Sequence, residues 1–508
     1  MRHKHRSLLN RRLAQSAAAA ALLASASLLS ACQVGPDFTA SAPPGTAAGY
    51  VRGGLPAAIA PDQRLAAGAD VPARWWEAYG SPELNALMDQ AIKASPDIES
   101  ATAALRSAHE LYLAQKGAAL PTVDAGYNLT RQKFSNEIAP PALNDTANPY
   151  TLHTLQVNVA YTPDLFGGIK RQTESALAQA DALRFQAEAA YLTLTANVAA
   201  AAIQQASLSA QIKDAEGVVA SDRKTLDLLR RSLKAGEIAA ADVAAQEVAV
   251  AQAEQALPPL RKQLAQQNDL IAYLTGRTPA EADIPALDLA RITLPADLPV
   301  SLPSDLVRHR PDVQAAEANL HAASANVGVA IAARLPTFPL SANLGTQASD
   351  LGGLFSGPNI FWTVTGAVAA PIYEGHQLKH RQKSAEALLD QAKAQYRGAV
   401  LVAFQNVADS LQALQGDVRA LDAAAAVDQA AGRSVASAQK QLNAGEGSVL
   451  PVLQAEQAQL QARAAVTQAR AARLADSAAL YQALGGGWWN RTDFADASAS
   501  GAPAPARP

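Results

Sequence analysis

Apolar and polar positions change period along this chain, and each change marks an element. Val123, Ala125, Tyr127 and Leu129 alternate with Asp124, Gly126, Asn128 and Thr130, the period of two that a strand with unlike faces requires. Leu155, Val157, Val159 and Tyr161 alternate in the same way with Thr154, Gln156 and Asn158. A second set follows: Phe338, Leu340, Ala342 and Leu344 against Ser341, Asn343 and Gly345, then Trp362, Val364 and Val368 on one face. These patterns predict strands at Thr122–Phe134, Thr151–Tyr161, Thr337–Gln347 and Ile360–Ala370. Segments of about ten residues, apolar on one face and polar on the other, are what a transmembrane β-barrel is built from. A half-buried soluble sheet reads the same way.

After each strand pair the period becomes helical. From Ile169 to Lys234 there is no proline and one glycine, Gly217, which predicts a helix of about 100 Å at ~1.5 Å per residue. Leu183, Ala187, Ala190, Leu194, Val198 and Ala201 step by three and four, and Ile212, Ala215, Val219, Leu226, Leu229 and Leu233 continue the line. Such spacing marks a coiled-coil seam, here filled largely by alanine, which lets helices approach closely. Gly236 ends this helix and a second runs to about Leu274; the same layout recurs from Gln377 to Leu442 and from Ser448 to Leu484. Pro258-Pro259 should kink the first returning helix, and Pro451 falls just inside the second.

The layout is a duplication. Ser95-Pro96-Asp97-Ile98 is echoed by Arg310-Pro311-Asp312-Val313, and Leu120-Pro121-Thr122 by Leu335-Pro336-Thr337, both at an offset of 215. Asn197-Val198-Ala199 matches Asn406-Val407-Ala408, and Ala235-Gly236-Glu237 matches Ala444-Gly445-Glu446, at 209. Each copy opens with a helix of roughly 22 residues at Pro96 or Pro311, proline being favoured in a first helical turn. This short helix and the returning one together nearly equal the long one and could stack end to end beside it. The organisation read from this is 1–31 leader, 32–94 N-terminal segment and first helix, 95–276 repeat 1, 277–309 linker, 310–487 repeat 2 and 488–508 tail. The proline-rich 277–304 stretch is expected to pack as a belt, and the Ala/Ser/Pro-rich end to be disordered.

Composition narrows the function. Of 508 residues 17% are charged and 5% aromatic, the net charge is −3, and roughly 120 are alanine. Such a chain suits long close-packed helices, and its near-neutral balance argues against a nucleic-acid partner. Arg2, Lys4, Arg6, Arg11 and Arg12 precede an uncharged run, Leu13 to Ala31, the layout of an export signal. Leu29-Ser30-Ala31-Cys32 resembles the bacterial lipobox, and Cys32 is the only cysteine, so no internal disulfide can form. A covalent lipid on Cys32 accounts for this exported thiol; no other cofactor is expected. Gln33 follows where an aspartate would favour inner-membrane retention, so the outer membrane is the expected destination. Four strands cannot close a barrel and an open edge is not tolerated in lipid. Three copies would pool twelve, between the about eight that side chains fill and the about sixteen that leave a wide channel.

Four stretches lie in order on the duplicated strand-and-helix layout: Cys32-Gln33-Val34-Gly35-Pro36-Asp37-Phe38, Trp75-Trp76-Glu77-Ala78-Tyr79-Gly80-Ser81-Pro82-Glu83-Leu84, Arg308-His309-Arg310-Pro311-Asp312-Val313 and Leu484-Gly485-Gly486-Gly487-Trp488. Together with that layout they resemble one family, the TolC-like outer membrane factors in their NodT-type efflux lipoprotein branch. The resemblance covers nearly all of the chain after residue 31. It implies a mainly α fold with a small membrane β part, a homotrimer forming a 12-stranded β-barrel on a 12-column helical barrel. It also implies an exit duct for small toxic compounds, lipid-anchored in the outer membrane, working with a periplasmic adaptor and an inner-membrane pump. A type I protein-secretion duct shares the fold and is the alternative; the lipobox and the Gly-Gly-Gly-Trp ending favour efflux. A periplasmic adaptor would carry one long hairpin, and a trimeric adhesin no duplication.

Candidate sites lie at the helical turns. Each turn joins two helices that lead back toward the strands, so Gly236 and Gly445 should mark the periplasmic tip, with Leu233 and Leu442 as adaptor contacts. Similar proteins carry pore-narrowing aspartates six and nine residues after the second-turn glycine; here these positions are Pro451 and Gln454. An acidic constriction would then come from Glu446, with Glu237 or Asp242 second. Like charges at a three-fold axis admit cations; a solvated helix turn explains the same carboxylates as well. No nucleophile elbow, phosphate loop or zinc helix is present. His376 and His380 have metal spacing, but exposed helical histidines are the expected reading, so neither an enzyme nor a metal site is anticipated.

Overall fold

The computed structural model describes residues 33–39, 50–51, 58–133, 135, 149–301, 303–446 and 449–491. The leader, Cys32, Phe134, Ser448 and the tail from 492 lie outside the described residues. No described helix is long and apolar enough to cross a membrane.

The duplication holds to the residue in its helices. α1 (Pro82–Ala94) precedes the first copy. That copy comprises α2 (Pro96–Gly117), α3 (Gly168–Lys234) and α4 (Ala240–Leu274), of 22, 67 and 35 residues. After the short α5 (Pro303–His309), the second copy comprises α6 (Pro311–Ala332), α7 (Gln377–Asn443) and α8 (Val449–Ala483), again of 22, 67 and 35 residues. Pro258 and Pro259 lie inside α4, whose helical run is not interrupted by them. Pro451 falls in the first turn of α8, where its missing N–H would have had no helical partner.

By contact the described residues within 1–40, 106–182 and 317–395 form one compact unit, and those within 41–105, 183–316 and 396–508 form a second, each drawing on both copies. The first holds a four-stranded antiparallel sheet in the order β3 (Thr122–Gln132), β4 (Tyr150–Tyr161), β6 (Leu340–Ala348), β7 (Ile360–Gly366). The third predicted strand starts three residues late, because Pro339 lacks a ladder N–H; a bridge between Thr337 and Ala369 continues the pairing beyond it. The fourth, expected to reach Ala370, ends at Gly366.

The second unit holds the seams and a small sheet the periodicity did not announce. β1 (Ala58–Ala60) pairs antiparallel with β2 (Gln63–Ala67), and β2 pairs parallel with β5 (Asp297–Val300). Part of the expected 277–304 belt is therefore strand. The stretch is also tied down by Thr293 N–H donating to the Tyr79 carbonyl (2.8 Å) and by Gln205 donating to the Pro285 carbonyl (3.1 Å).

Candidate functional site

Register settles how the faces of the sheet are composed. Val123, Val159, Ala342 and Val364 form one row across its four strands. Ala125, Val157, Leu344 and Trp362 form the next, and Tyr127, Leu155, Thr346 and Ile360 the one after. The opposite face carries rows such as Asp124, Asn158, Asn343 and Thr363, with Asn158 donating to Asp124 at 2.9 Å. The apolar face is bare in the single chain: Trp362 is 72%, Val364 71% and Val123 67% exposed. A bare apolar face of this size demands a cover. β3 and β7 each pair on one side only, so the sheet also ends in two open edges.

The sequence stretches that carry the resemblance prove to be joints. Trp75 stacks on Tyr481 of α8 with ring centroids 5.2 Å apart, and the Tyr79 hydroxyl donates to the Leu474 carbonyl at 3.0 Å. Ser81 caps α1 by accepting from Leu84 N–H. The end of α4 abuts the start of α2, with the Tyr273 hydroxyl reaching Asp97 at 3.4 Å. Its counterpart at the end of α8 is tighter: the Arg310 guanidinium donates to the Ala483 carbonyl (3.0 Å) and to both Asp312 oxygens. Both short helices therefore stack on the returning ones, as their lengths suggest. The three glycines that follow all have positive φ, at 96°, 67° and 72°. A Cβ on Gly485 would fall 2.8 Å from the His309 carbonyl, one on Gly486 2.2 Å from Leu192, and one on Gly487 2.5 Å from the Val71 carbonyl. The run is glycine because neither the backbone nor its neighbours admit anything larger.

The two helical turns are built alike. Gly236 and Gly445 adopt φ of 79° and 76°. Each donates to the carbonyl of its leucine, Leu233 or Leu442, at 3.0 Å, and the following glutamate N–H reaches back to Ser232 or Gln441 at 3.0 Å. This paired closure satisfies carbonyls at a helix end through a left-handed residue. Glu237 and Glu446 thus occupy equivalent places, and both are exposed. Asp242 differs, since its carboxylate accepts from Ala239 N–H (3.3 Å) at the start of α4. Leu233 is half-buried against the cluster of Leu226, Val243 and Val250, so in the single chain its side chain is engaged within its own hairpin. Leu442 is likewise half-buried.

A sequence profile of the outer membrane efflux protein family matches residues 87–277 and 302–486. The chain belongs to this family. It is 31% identical over 417 residues to the pyoverdine export outer membrane protein OpmQ of Pseudomonas putida, covering 82% of this chain and 88% of that one. With the antibiotic efflux pump outer membrane protein ArpC of Pseudomonas putida it shares 31% over 483 residues, 94% and 97% of the two chains. Among solved structures, the outer-membrane channel OprN superposes with a TM-score of 0.80 at 27% identity, covering 90% of this chain and all of that one.

As an outer membrane efflux protein the chain is an outer membrane channel of a tripartite efflux system, and not an enzyme. His376 and His380 lie at the start of α7, where His380 N–H donates to the His376 carbonyl. Among the described residues no group of three metal-binding side chains assembles. The periodicity missed several buried arginines. Arg171 is 2% exposed, and Arg473 pairs with Asp62 at 2.6 Å. Arg491 pairs with Glu188 at 3.3 Å and lies over the Tyr191 ring. Buried charges answer to partners distant in sequence, which hydropathy does not reveal.

Proposed function

We propose that three copies of this chain pool their sheets into one twelve-stranded barrel in the outer membrane. The helical hairpins then form the periplasmic part of a duct that receives cargo from an adaptor and an inner-membrane pump. The observation that carries this reading is the open sheet with a bare apolar face: a lipid environment forbids free edges, and neighbouring copies supply the missing pairing. The cargo class is small toxic compounds; pyoverdine export and antibiotic efflux are named for two relatives. Cys32 carries the lipid. Glu446, with the equivalent Glu237, lines a cation-admitting constriction at the hairpin turns, while Asp242 is the weaker candidate because it caps its own helix. Leu233 and Leu442 flank the adaptor contact.

The barrel is tested by arginine substitution on its two faces, read as the fraction of chain migrating as trimer in unboiled samples. Leu129→Arg or Val159→Arg should cost about 2–4 kcal/mol at midplane depth and deplete the trimer, and Asn128→Arg should do less. Equal loss from both faces rejects the membrane barrel. The constriction is tested separately by single-channel conductance. Glu446→Gln should reduce cation selectivity, and unchanged selectivity in this and the Glu237→Gln variant leaves only a solvated turn.

A further inference from the structure

The segment directly after Cys32 does not hang free. Val34 N–H donates to the Phe166 carbonyl (3.2 Å) in the junction between β4 and α3. Gln33 lies against Gly167, where an added Cβ would come within 3.0 Å of its side chain. Gly35 rests on Gly328 of α6 so closely that a Cβ would fall 2.4 Å from the Gly328 Cα. Phe38 stacks on His321 of α6 with centroids 4.3 Å apart and planes 16° from parallel.

One side chain ties this segment down. Arg171, in the first turn of α3 and 2% exposed, donates from Nε to the Val34 carbonyl (3.2 Å) and from Nη2 to the Gly35 carbonyl (3.4 Å). Nη2 also reaches Asp37 (2.7 Å), and Nη1 reaches Glu174 (2.8 Å), whose other oxygen meets His321 Nε2 at 2.8 Å. Burial pushes the Glu174 carboxyl up, but the hydrogen bonds from His321 and Arg171 outweigh it and hold the group below its ordinary value. A buried guanidinium is expensive unless its donors are occupied. Here four of its contacts converge on one short strap and the helix beneath, a geometry that the planar fork of arginine can make and the point charge of lysine cannot.

We propose that Arg171 is a positioning residue that seats the lipid-bearing end of the chain at the strand–helix junction, so that the acyl anchor enters the bilayer at a fixed place on the protein. The proposal rests on the reading of Cys32 as the lipidated residue. A flexible tether of n residues lets an anchor wander about 5–6 Å × √n. A group carried on the residue before Gln33 starts one peptide unit away, about 3.8 Å, from a backbone pinned to the start of α3. A lipid held this way resists displacement of the sheet relative to the membrane, whereas a loosely tethered lipid transmits nothing.

A four-protein cycle on the full chain in outer-membrane vesicles tests this: parent, Cys32→Ala exported without the lipobox, Arg171→Ala, and the double variant. The readout is the temperature at which the unboiled trimer dissociates. Cys32→Ala should lower that temperature when Arg171 is present and add nothing once Arg171 is gone. In the Arg171→Ala and Arg171→Lys proteins the Val34 amide should exchange with deuterium at least about tenfold faster, while amides of α6 keep their protection. Should Arg171→Ala fail to assemble, Asp37→Ala replaces it in the cycle; that side chain is 89% exposed. The same decrement from Cys32→Ala in both backgrounds, zero included, overturns the proposal. Absence of acyl labelling on the parent chain removes the lipid reading itself, a result that is legible apart from the cycle.

Discussion

The two hairpins have helices of identical length and turns of identical closure, yet they are held together differently. Between α3 and α4 the seam is aliphatic: Ile212, Ala215 and Val219 pack with Ala253 and Leu257, and Leu226 packs with Val243 and Val250. Three cross-helix pairs flank it, Arg223–Glu254 at 2.6 Å, Arg230–Glu247 at 2.8 Å and Arg261–Glu216 at 2.7 Å. In α7, by contrast, Ala438 is the only buried residue between Gln415 and Asn443. Its cross-helix contacts there include Asp428 with Arg463 at 3.9 Å and Gln439 with Glu456 at 3.4 Å. Duplication preserved the lengths and let the seams diverge. Stability within a protein is local, and apolar burial contributes about 25 cal/mol per Å²; where the first hairpin has Val219, Leu226 and Leu229, the second has Asp428, Val435 and Ala438, and in the single chain it is the looser one.

The largest expected effect follows from the aliphatic seam. Leu226→Ala should cost about 2–5 kcal/mol, the range for a buried leucine, and lower the protection of α3 and α4 amides in hydrogen exchange. Val427→Ala in α7, at a residue 57% exposed, should leave exchange nearly unchanged. A comparable loss at Val427 breaks the comparison, because it means that another copy of the chain covers α7 in the assembly.

How much of this was legible in the sequence depends on the range of the interaction. Alternation at Val123–Thr130 and Leu155–Tyr161 fixed both strands and the face each side chain takes, because a strand's side chains obey a period of two whatever lies beside it. The prolines at 96 and 311 and the glycines at 236 and 445 marked helix ends for equally local reasons. β1, β2 and β5 escaped, being three to five residues long, with β2 and β5 paired across more than 200 positions. The Arg171 strap escaped too, since nothing near Arg171 in sequence announces Val34 or Asp37. The contrast between hairpins was hidden for a third reason: both read as alanine-rich helices with the same spacing, and only packing shows which seam closes.

A subtler contrast lies in titration. Burial, reinforced by Asp222 of α3, pushes the Glu456 carboxyl of α8 up to about 7. Burial also raises Asp417 of α7 to about 7, with Asp476 of α8 adding to the shift and Arg473 opposing it. Raised values in the folded chain mean that the stabilisation is complete below the ordinary carboxylate range and is lost as pH climbs through about 7. Protection of α8 should therefore fall between about pH 5 and pH 7 and level off above, after correction for intrinsic exchange, more than that of α4. Glu456→Gln and Asp417→Asn should each flatten the dependence, and an unaltered pH profile in both would show that these carboxyls do not govern the second hairpin.

The smallest effect sharpens the comparison by separating its two ingredients. If the first hairpin is the firmer because of its aliphatic seam, its three arginine–glutamate pairs are minor contributors. Arg223 and Glu254 have side chains 65% and 41% exposed, and exposed pairs of this kind contribute about 0.2–1 kcal/mol each. A double-mutant cycle of Arg223→Ala and Glu254→Ala, read by thermal unfolding, should give a coupling of about 0.5 kcal/mol at low salt. It should shrink toward zero in 1 M salt, where screening acts within about 3 Å. The matching cycle on Arg463 and Asp428, 3.9 Å apart, should give none. A coupling well above 1 kcal/mol in the first hairpin would assign its firmness to charge rather than to packing. The loosening of the second would then follow from its missing arginines, and restoring one cross-helix pair there should firm it as much as filling its seam.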